Sequence, residues 1–487
     1  MWSEGPEECT IGVAAGRATR DGRPLLWKIR DAIYVNNEIR YDTLFRHKFV
    51  SVVNACNTSS WMGVNERGFA ILNSNSPDLP GGNSAENGTF MRQALGTCAT
   101  VADFEQLLDS TNRTRRLTQA NFGVIDSTGA AAMYETGDTV YWKFDANDTG
   151  QARDGYIVRA NFALNGGGSG GRERYLRSNR LLSDLLAQGG LTYRNIARAH
   201  LRDFSKGELA PFPIPYAFQA YPNMPHGYIS TSISICRLAS VSGTVIHGVL
   251  PAEPAKLTTM WTILGQPATS LAVPYWPVGA PPTLADGDST APLCDEANRL
   301  KSIVFARDSI SGQLIDYVNS YLLLDGRGNG LWAQLYPIED SIFLSTEGML
   351  HLWRTNGVSP SEMLVAESAW ADLAYSVLKN AAPPFPGRGS RGTLPEKIFL
   401  SQNYPNPFNA GTTIRFELPS RLHVRVEVFD LLGRKVRRLV DEDFQPGSYP
   451  RVWDGRSDLG TSMASGAYFC RLTSGGRVET RRMVLLR

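Results

Sequence analysis

The residues best suited to chemistry near the start of the chain are a cysteine and a carboxylate on two neighbouring strand-like segments. Cys9 opens the segment CTIGVAA, and a turn at 20–23 leads to a second segment that ends at Asp31. If the eight residues before Cys9 are removed, Cys9 carries both a thiol and a free α-amine. Because an α-amine titrates at about pH 8, it can act as base for the thiol of its own residue. This pattern indicates a nucleophile that requires no partner histidine.

Composition limits the classes of function. The 487 residues are enough for two or three domains, and the formal net charge of +2 gives no electrostatic reason to expect nucleic acid as a partner. The chain has no run of about 18 apolar residues, so no integral membrane segment is expected. Six cysteines and six histidines are scattered without a CxxC or HExxH motif, which argues against a zinc ribbon or a disulfide-dense scaffold. The leading hypothesis below requires neither a metal nor an organic cofactor.

Composition also predicts the domain organisation. Residues 1–8 are acidic and lack an apolar core, so they are interpreted as a propeptide or a remnant start rather than a signal peptide. Residues 381–395 are rich in proline and glycine and are predicted to be a linker. Before it, residues 9–380 mix strands and helices, which predicts an α+β domain. After it, short alternating runs in residues 396–487 predict a small all-β sandwich.

Several elements of the first domain are predicted individually. Helical periodicity is expected at 100–110, 172–188, 294–322 and 360–380, and strand-like runs at 229–236 and 243–250. The glycine-rich segment 165–171 is predicted to be a flexible loop that could move over a site. Tyr275 and Trp276 are candidates either for lining a pocket or for the core.

Roughly the first 280 residues carry ordered landmarks of one family. They are Cys-Thr at 9–10, Asp-Gly at 21–22, Lys-Ile-Arg-Asp at 28–31, GVNERGFA at 63–70, Asn at 73 and 75, YIVRANF at 156–162, and Glu-Arg at 173–174. In this order they resemble the cysteine N-terminal-nucleophile hydrolases, and within them the penicillin acyltransferase-like (C45 peptidase) and choloylglycine hydrolase group. The resemblance implies a four-layer αββα fold with the nucleophile at the edge of one sheet.

The resemblance and the residues together suggest roles for six positions. Cys9 is the expected nucleophile, and Asp31 is expected to orient its amine or thiol. Asn161 and Asn75 are expected to donate to an oxyanion, where one good donor contributes about 3 kcal/mol. Asn73 is the alternative to Asn75, which is preferred because it lies ten residues after an asparagine of the GVNERGFA segment. For each of these residues a purely structural role is the alternative.

Two cations complete the candidate site. Lys28 stands where the family has an arginine, and it keeps the charge but loses the bidentate fork. A cation beside a thiol lowers the thiol pKa, and Lys28 is a candidate for this effect unless it is a solvated strand residue. Arg30 could supply a guanidinium, but it should share the strand face of Lys28 rather than that of Asp31. Arg174 could pair with Cys9 or with a substrate carboxylate, or it could lie on a solvated helix face.

The C-terminal domain carries a second and longer set of motifs. FLSQNYPNPFN at 399–409, VFDLLG at 428–433, GSY at 447–449, WDG at 453–455 and SGAYF at 465–469 precede a basic end. They resemble the type IX secretion (Por) C-terminal sorting domain. That resemblance implies that residues 396–487 engage the type IX secretion machinery of a Gram-negative bacterium. The protein would pass through the periplasm and be secreted or held at the cell surface.

The leading hypothesis is a secreted cysteine N-terminal-nucleophile amidohydrolase or acyltransferase that acts on a small-molecule amide. Its acyl-enzyme would form on Cys9 after the Glu8–Cys9 bond is cut, either by the protein itself or by another protease. A dipeptidase of the related C69 group, which also opens with Cys-Thr, is the alternative within chemistry. A cell-surface binding protein that has lost activity on the same fold is the alternative of a different class, and Lys28 is the residue that favours it.

Overall fold

The computed structural model of the protein describes residues 8–81, 86–205, 228–287, 289–308, 311–324, 329–383, 398–403, 406, 408, 411–445 and 447–485. Most of the predicted propeptide and of the predicted linker therefore lies outside the described residues, as do four positions of the motif at 399–409. The chain forms two compact units. The first comprises residues 1–212, 220–319 and 334–382, and the second comprises residues 213–219, 320–333 and 383–487.

The first unit contains sixteen described strands. In chain order they are β1 Thr10–Ala14, β2 Leu25–Asp31, β3 Asn37–Asp42, β4 Phe49–Asn54, β5 Met62–Asn65, β6 Ala70–Asn75, β7 Ala120–Ile125, β8 Ala131–Thr136, β9 Tyr141–Asp145, β10 Tyr156–Arg159, β11 Tyr228–Ser230, β12 Ser240–His247, β13 Thr259–Leu264, β14 Val273–Tyr275, β15 Phe305–Arg307 and β16 Leu314–Asn319. They form a six-stranded sheet in the order β10-β1-β2-β12-β13-β14, a seven-stranded sheet running from β3 to β9, and a three-stranded sheet β11-β16-β15. Every strand pairing in them is antiparallel.

Helices cover the sheets. The α-helices are α1 Asn87–Thr97, α2 Val101–Asn112, α3 Arg172–Ala187, α4 Tyr193–Asn195, α5 Pro292–Val304, α6 Ser320–Leu323, α7 Leu331–Asn356 and α8 Pro360–Asn380. Shorter helical turns lie at Gly16–Ala18, Ile196–His200, Ala255–Leu257 and Pro267–Thr269. Helices α2 and α8 each begin with a capping box, in which a Thr or Ser and an acidic residue three positions later satisfy the first free amides.

The two large sheets face each other, and each has helices on its outer side. Leu26 of the six-stranded sheet reaches Gly123 of the seven-stranded sheet so closely that a Cβ there would lie 2.8 Å from its methyl group. On the outside of the seven-stranded sheet, Phe90 and Phe104 of α1 and α2 pack on strand residues such as Phe122. The order helix, sheet, sheet, helix confirms the predicted four-layer αββα fold.

Two of the predicted elements differ from those observed. The predicted helix at 294–322 ends at Val304, and the hairpin of β15 and β16 follows, with its turn made by the Asp308 amide bonding to Gln313 and by Gly312 at a positive φ. The predicted strand at 229–236 covers only Tyr228–Ser230. Beyond it, the Ser234 amide and hydroxyl both bond to the carbonyl of Thr231, because Ser and Thr favour such local bonds over a strand ladder.

The second unit carries a small antiparallel sandwich, as predicted for the C-terminal domain. Its strands are β17 Phe399–Leu400, β18 Thr412–Leu418, β19 Leu422–Phe429, β20 Lys435–Phe444, β21 Gly447–Trp453, β22 Gly466–Ser474 and β23 Arg477–Leu485. They form the sheets β17-β18-β21 and β20-β19-β22-β23. Alternate strand residues such as Phe416, Val426, Trp453 and Leu472 are buried between them. Among the described residues of the whole chain, no helix has the length and apolar character needed to cross a membrane.

Candidate active site

The hairpin of β1 and β2 decides which side chains share a face with Cys9. Thr10 pairs with Ile29 and Ile11 with Lys28, and the Glu8 amide donates to the carbonyl of Asp31 at 3.1 Å. Cys9 therefore lies opposite Arg30. Opposed residues of an antiparallel pair point to the same side. The Cys9 thiol therefore shares the inner face, which points towards the other large sheet, with Lys28 and Arg30. Asp31 projects to the outer, helix-covered face.

On the inner face, Lys28 and Arg30 contact residues of the neighbouring strands and the Trp61 ring. The Lys28 ammonium is fully buried and donates to Asn73 Oδ1 at 2.8 Å and to the carbonyl of Trp61 at 3.1 Å. The Arg30 guanidinium lies 4.8 Å from the centre of the Trp61 ring and donates to Asn37 Oδ1 at 2.6 Å. Lys28 is thus not a solvated strand lysine, and a guanidinium is present on the strand face that carries Cys9.

On the outer face, Asp31 is the centre of a network of charges. It is 1% exposed and accepts from Arg237 Nε at 2.7 Å and from Ser240 Oγ at 2.6 Å. Ser240 reaches it because the pairing of β12 with β2 shifts register between Ser240 and Ser242, and such bulges re-aim side chains. Arg174 Nη1 lies 3.7 Å from the same carboxylate. Asp31 is therefore not a surface turn residue.

Arg174 connects the start of β1 to the proposed oxyanion donor. Its Nη1 donates to Thr10 Oγ1 at 3.2 Å, and its Nη2 donates to Asn161 Oδ1 at 2.7 Å. The side chain is buried, which lowers its pKa, while the charges of Asp31 and Glu8 oppose the shift and Cys9 is also close enough to act on it. The alternative of a solvated helix face is therefore wrong for this arginine.

Asn161 lies at the end of β10, where its amide is fixed from both sides. Its Oδ1 accepts from Arg174, and its Nδ2 donates to the carbonyl of Asn75 at 2.9 Å. Asn121 Nδ2 donates to the carbonyls of Ala160 and Phe162 at 3.2 and 3.1 Å. These contacts fix both neighbours of Asn161, so its amide is held in a defined orientation, as an oxyanion donor must be.

The structure separates the two candidate asparagines of β6. Asn75 lies beside Asn161, because its backbone carbonyl accepts the hydrogen bond from Asn161 Nδ2. Asn73 belongs with Lys28, and its Nδ2 is buried without a hydrogen-bond partner among the described residues. Both asparagines therefore lie next to candidate site residues, but in different groups.

The glycine-rich segment 165–171 is tied to the same site. Asp78 accepts from the amides of Ala163 and Gly168, and Glu135 accepts from that of Asn165. A Cβ at position 170 would lie 2.7 Å from the carbonyl oxygen of Asn161, and one at position 171 would lie 2.4 Å from Arg174 Nη2. Glycine is therefore required here for close approach to the site, rather than only for a flexible loop as the sequence suggested.

Sequence reasoning missed Arg237, Ser240 and Asn121, because each belongs to the site through tertiary contacts and none stands in a motif. A lone arginine after the polar segment 230–234 was the only available signal for Arg237. For Tyr275 and Trp276, the side chains are 1% and 0% exposed, so both belong to the core.

Comparison with known proteins identifies the C-terminal region. Residues 402–486 match the family model of the secretion system C-terminal sorting domain. The protein therefore carries a sorting domain that directs it to secretion or to the cell surface through the type IX system. PorZ, a bacterial surface component of that system in Porphyromonas gingivalis, is 22% identical over 18% of this chain, with a TM-score of 0.14. The chain spans 11% of the PorZ chain.

Two of the solved structures that are similar to this chain are an acylase and a hydrolase by name. Penicillin V acylase from Agrobacterium tumefaciens is 15% identical, with 55% of this chain and 85% of that chain covered and a TM-score of 0.32. A variant of conjugated bile acid hydrolase from Clostridium perfringens is 12% identical, with 53% and 89% covered and a TM-score of 0.32. No curated protein gives a significant match to the chain.

Proposed function

We propose that the first unit is a cysteine amidohydrolase or acyltransferase of the N-terminal-nucleophile type, with Cys9 as nucleophile. The observation that carries the proposal is the position of Arg174, whose guanidinium contacts Thr10, Asp31 and Asn161 at once. A carboxylate and an amide donor predicted separately along the chain are thereby connected, within one buried network, to Thr10, the residue next to Cys9.

The chemistry follows from these groups once the Glu8–Cys9 bond is cut. The Cys9 α-amine takes the thiol proton, and the thiolate attacks the carbonyl carbon of an amide. Asn161, supported by Asn75, stabilises the negative oxygen that forms. The carbon–nitrogen bond then breaks, the proton leaves with the amine, and the acyl group remains on sulfur as a thioester. Water, or an acceptor amine in a transfer reaction, attacks the thioester and releases the thiol.

Asp31 and the cations of the inner face have two further roles in the proposed mechanism. Asp31 is adjacent in the hairpin to the backbone of Cys9, so it can hold the α-amine in place. Lys28 and Arg30 favour the thiolate on the inner face, because a nearby cation favours the charged form of a thiol. Because the sorting domain supports secretion or surface location through the type IX system, we place the proposed reaction outside the cytoplasm.

The first test is intact mass. We expect purified wild-type protein to lose residues 1–8 and Cys9→Ala protein to keep them, which would make the cut autocatalytic. Equal trimming of both proteins would show that another protease cuts, and the enzyme proposal would then depend on the second test.

The second test is trapping of the acyl-enzyme. Mature protein is incubated with a panel of amides and β-lactams, and peptide mass spectrometry locates the acyl group. The test is made in a Cys56→Ser background, because Cys56 is an exposed cysteine that could react nonspecifically. Cys98 and Cys294 are internal controls, since burial raises their pKa values to about 12 and about 11. Acylation at Cys9 supports the enzyme, whereas no acylation with any member of the panel would favour a binding protein.

A further inference from the structure

Glu8, the residue just before the expected cut, lies beside two arginine side chains of the candidate active site. The Glu8 side chain is 52% exposed, and its carboxylate forms an ion pair with Arg237, whose side chain is 12% exposed. Arg174 Nη2 lies 3.9 Å from the same carboxylate. Burial would raise the pKa of Glu8, but the hydrogen bond and charge of Arg237 outweigh it and lower the pKa. Glu8 is therefore bound as a carboxylate at the mouth of the outer network.

Removal of Glu8 leaves this network with an excess of positive charge. Arg237, Arg174 and the buried Lys301, whose ammonium is 3.4 Å from the carbonyl of Ser240, surround Asp31. With Glu8 in place, the carboxylates of Glu8 and Asp31 both face Arg237 and Arg174. After the cut, Asp31 is the remaining carboxylate among the described ion-pair partners of Arg237 and Arg174, and the new α-amine of Cys9 adds a further cation whenever it is protonated. A guanidinium that has lost one of its two carboxylates has free N–H donors that can bind another planar anion.

We infer that the mature protein binds the carboxylate of its substrate's acyl group where Glu8 lies before the cut, so that the preferred substrates are amides of dicarboxylic acids. This inference rests on the proposed function, because it assigns Glu8 as the acyl part of the bond that Cys9 attacks. Three carbon atoms, Cα, Cβ and Cγ, lie between the carboxylate of Glu8 and its backbone carbonyl. A five-carbon diacid, glutarate, places its second carboxylate at the same separation from the reacting carbonyl.

The kinetic test uses two amides that differ only in charge. Glutaryl p-nitroanilide carries the free carboxylate, and its methyl ester has the same chain without the charge. We expect mature enzyme to favour the acid in kcat/KM by about tenfold or more, the value of one charge-assisted hydrogen bond. Succinyl and adipyl amides, one carbon shorter and longer, should fall below the glutaryl amide. Equal or faster cleavage of the ester would overturn the inference and leave the amidohydrolase proposal standing.

The binding test does not depend on catalysis. Two Cys9→Ala proteins are compared by calorimetry with glutarate, one trimmed to begin at residue 9 and one that retains residues 1–8. We expect glutarate to bind the trimmed protein and not the untrimmed one, in which Glu8 fills the site, and added salt to weaken binding. Binding to the trimmed protein without turnover of any amide would support the anion site and contradict the proposed activity. Equal binding to both proteins, or to neither, would overturn the inference.

Discussion

The two faces of the β1–β2 hairpin stabilise charge in different ways. On the inner face, the described contacts of Lys28 and Arg30 include a carbonyl, side-chain amides and the Trp61 ring. On the outer face, carboxylates pair with guanidinium groups around Asp31. An ion pair fixes the geometry of its two groups and cancels much of the field of each, so Asp31 and its arginine partners are held in a defined arrangement. Under the proposed function, the inner face would tune the thiol and the outer face would position the new amine.

Removing the carboxylate at the centre of the outer face should have the largest effect. Asp31→Asn leaves Arg237 and Arg174 without their shared counter-ion, and breaking a buried ion pair costs about 3 kcal/mol of unfolding free energy. Because the amine also loses its carboxylate, we expect turnover to fall below detection in amide hydrolysis assays with mature protein.

Asp203→Asn is the matched control for this change. Asp203 forms another buried ion pair, with Arg177 at 2.5 and 3.1 Å, in the same unit. We expect a similar loss of stability in urea unfolding with much of the turnover retained. If the two variants lose turnover equally, the outer face contributes only stability.

The next largest effect is expected from replacing the amide donor, Asn161. Asn161→Asp keeps the oxygen that accepts from Arg174 but replaces the Nδ2 donor with a negative oxygen. We expect kcat to fall about 100-fold or more, as for loss of one oxyanion-hole donor. Thermal unfolding should change little, since the new carboxylate can pair with Arg174. Wild-type kcat in a folded Asn161→Asp protein would remove Asn161 from the oxyanion hole.

Replacing the inner cation should change reactivity rather than positioning. Lys28→Gln keeps a donor near Asn73 and Trp61 but removes the charge. We expect alkylation of Cys9 by iodoacetamide, in the Cys56→Ser background, to slow about tenfold at neutral pH and to need higher pH. Lys28→Arg should restore much of the rate. Superimposable pH profiles for wild type and Lys28→Gln would show that the inner face does not tune the thiol.

The last prediction concerns Lys301, the buried cation beside the outer network, and its effect on stability. Burial lowers the pKa of Lys301 to about 8. Between this pH and its ordinary value the unfolded chain binds more protons, so this group makes stability rise with pH, and below about pH 8 its charge costs stability. We expect Lys301→Met to raise the unfolding free energy by about 3 kcal/mol at neutral pH. The gain should vanish near pH 10, and urea unfolding at both pH values measures it.

Several elements of the fold were predictable because residues close together in the sequence indicate them. The Cys9 hairpin follows from two apolar segments around an Asp-Gly turn, and helices α2 and α8 from periodicity and capping residues. The sorting domain was predictable from a long set of motifs and matches its family model. The hairpin at 305–319 was missed, since a short apolar run fits a helix or a strand equally well.

The sequence by itself determined the types and order of the chemical groups: a thiol, a carboxylate, two cations and the asparagines. Only the tertiary structure decided their partners. The pairing of β1 with β2 put Cys9 on the face of Lys28, and the bulge in β12 brought Ser240 to Asp31. Arg237 joined the site from more than 200 positions away. Such contacts depend on chain segments that meet only when the sheets and helices pack, so no local pattern of residues encodes them.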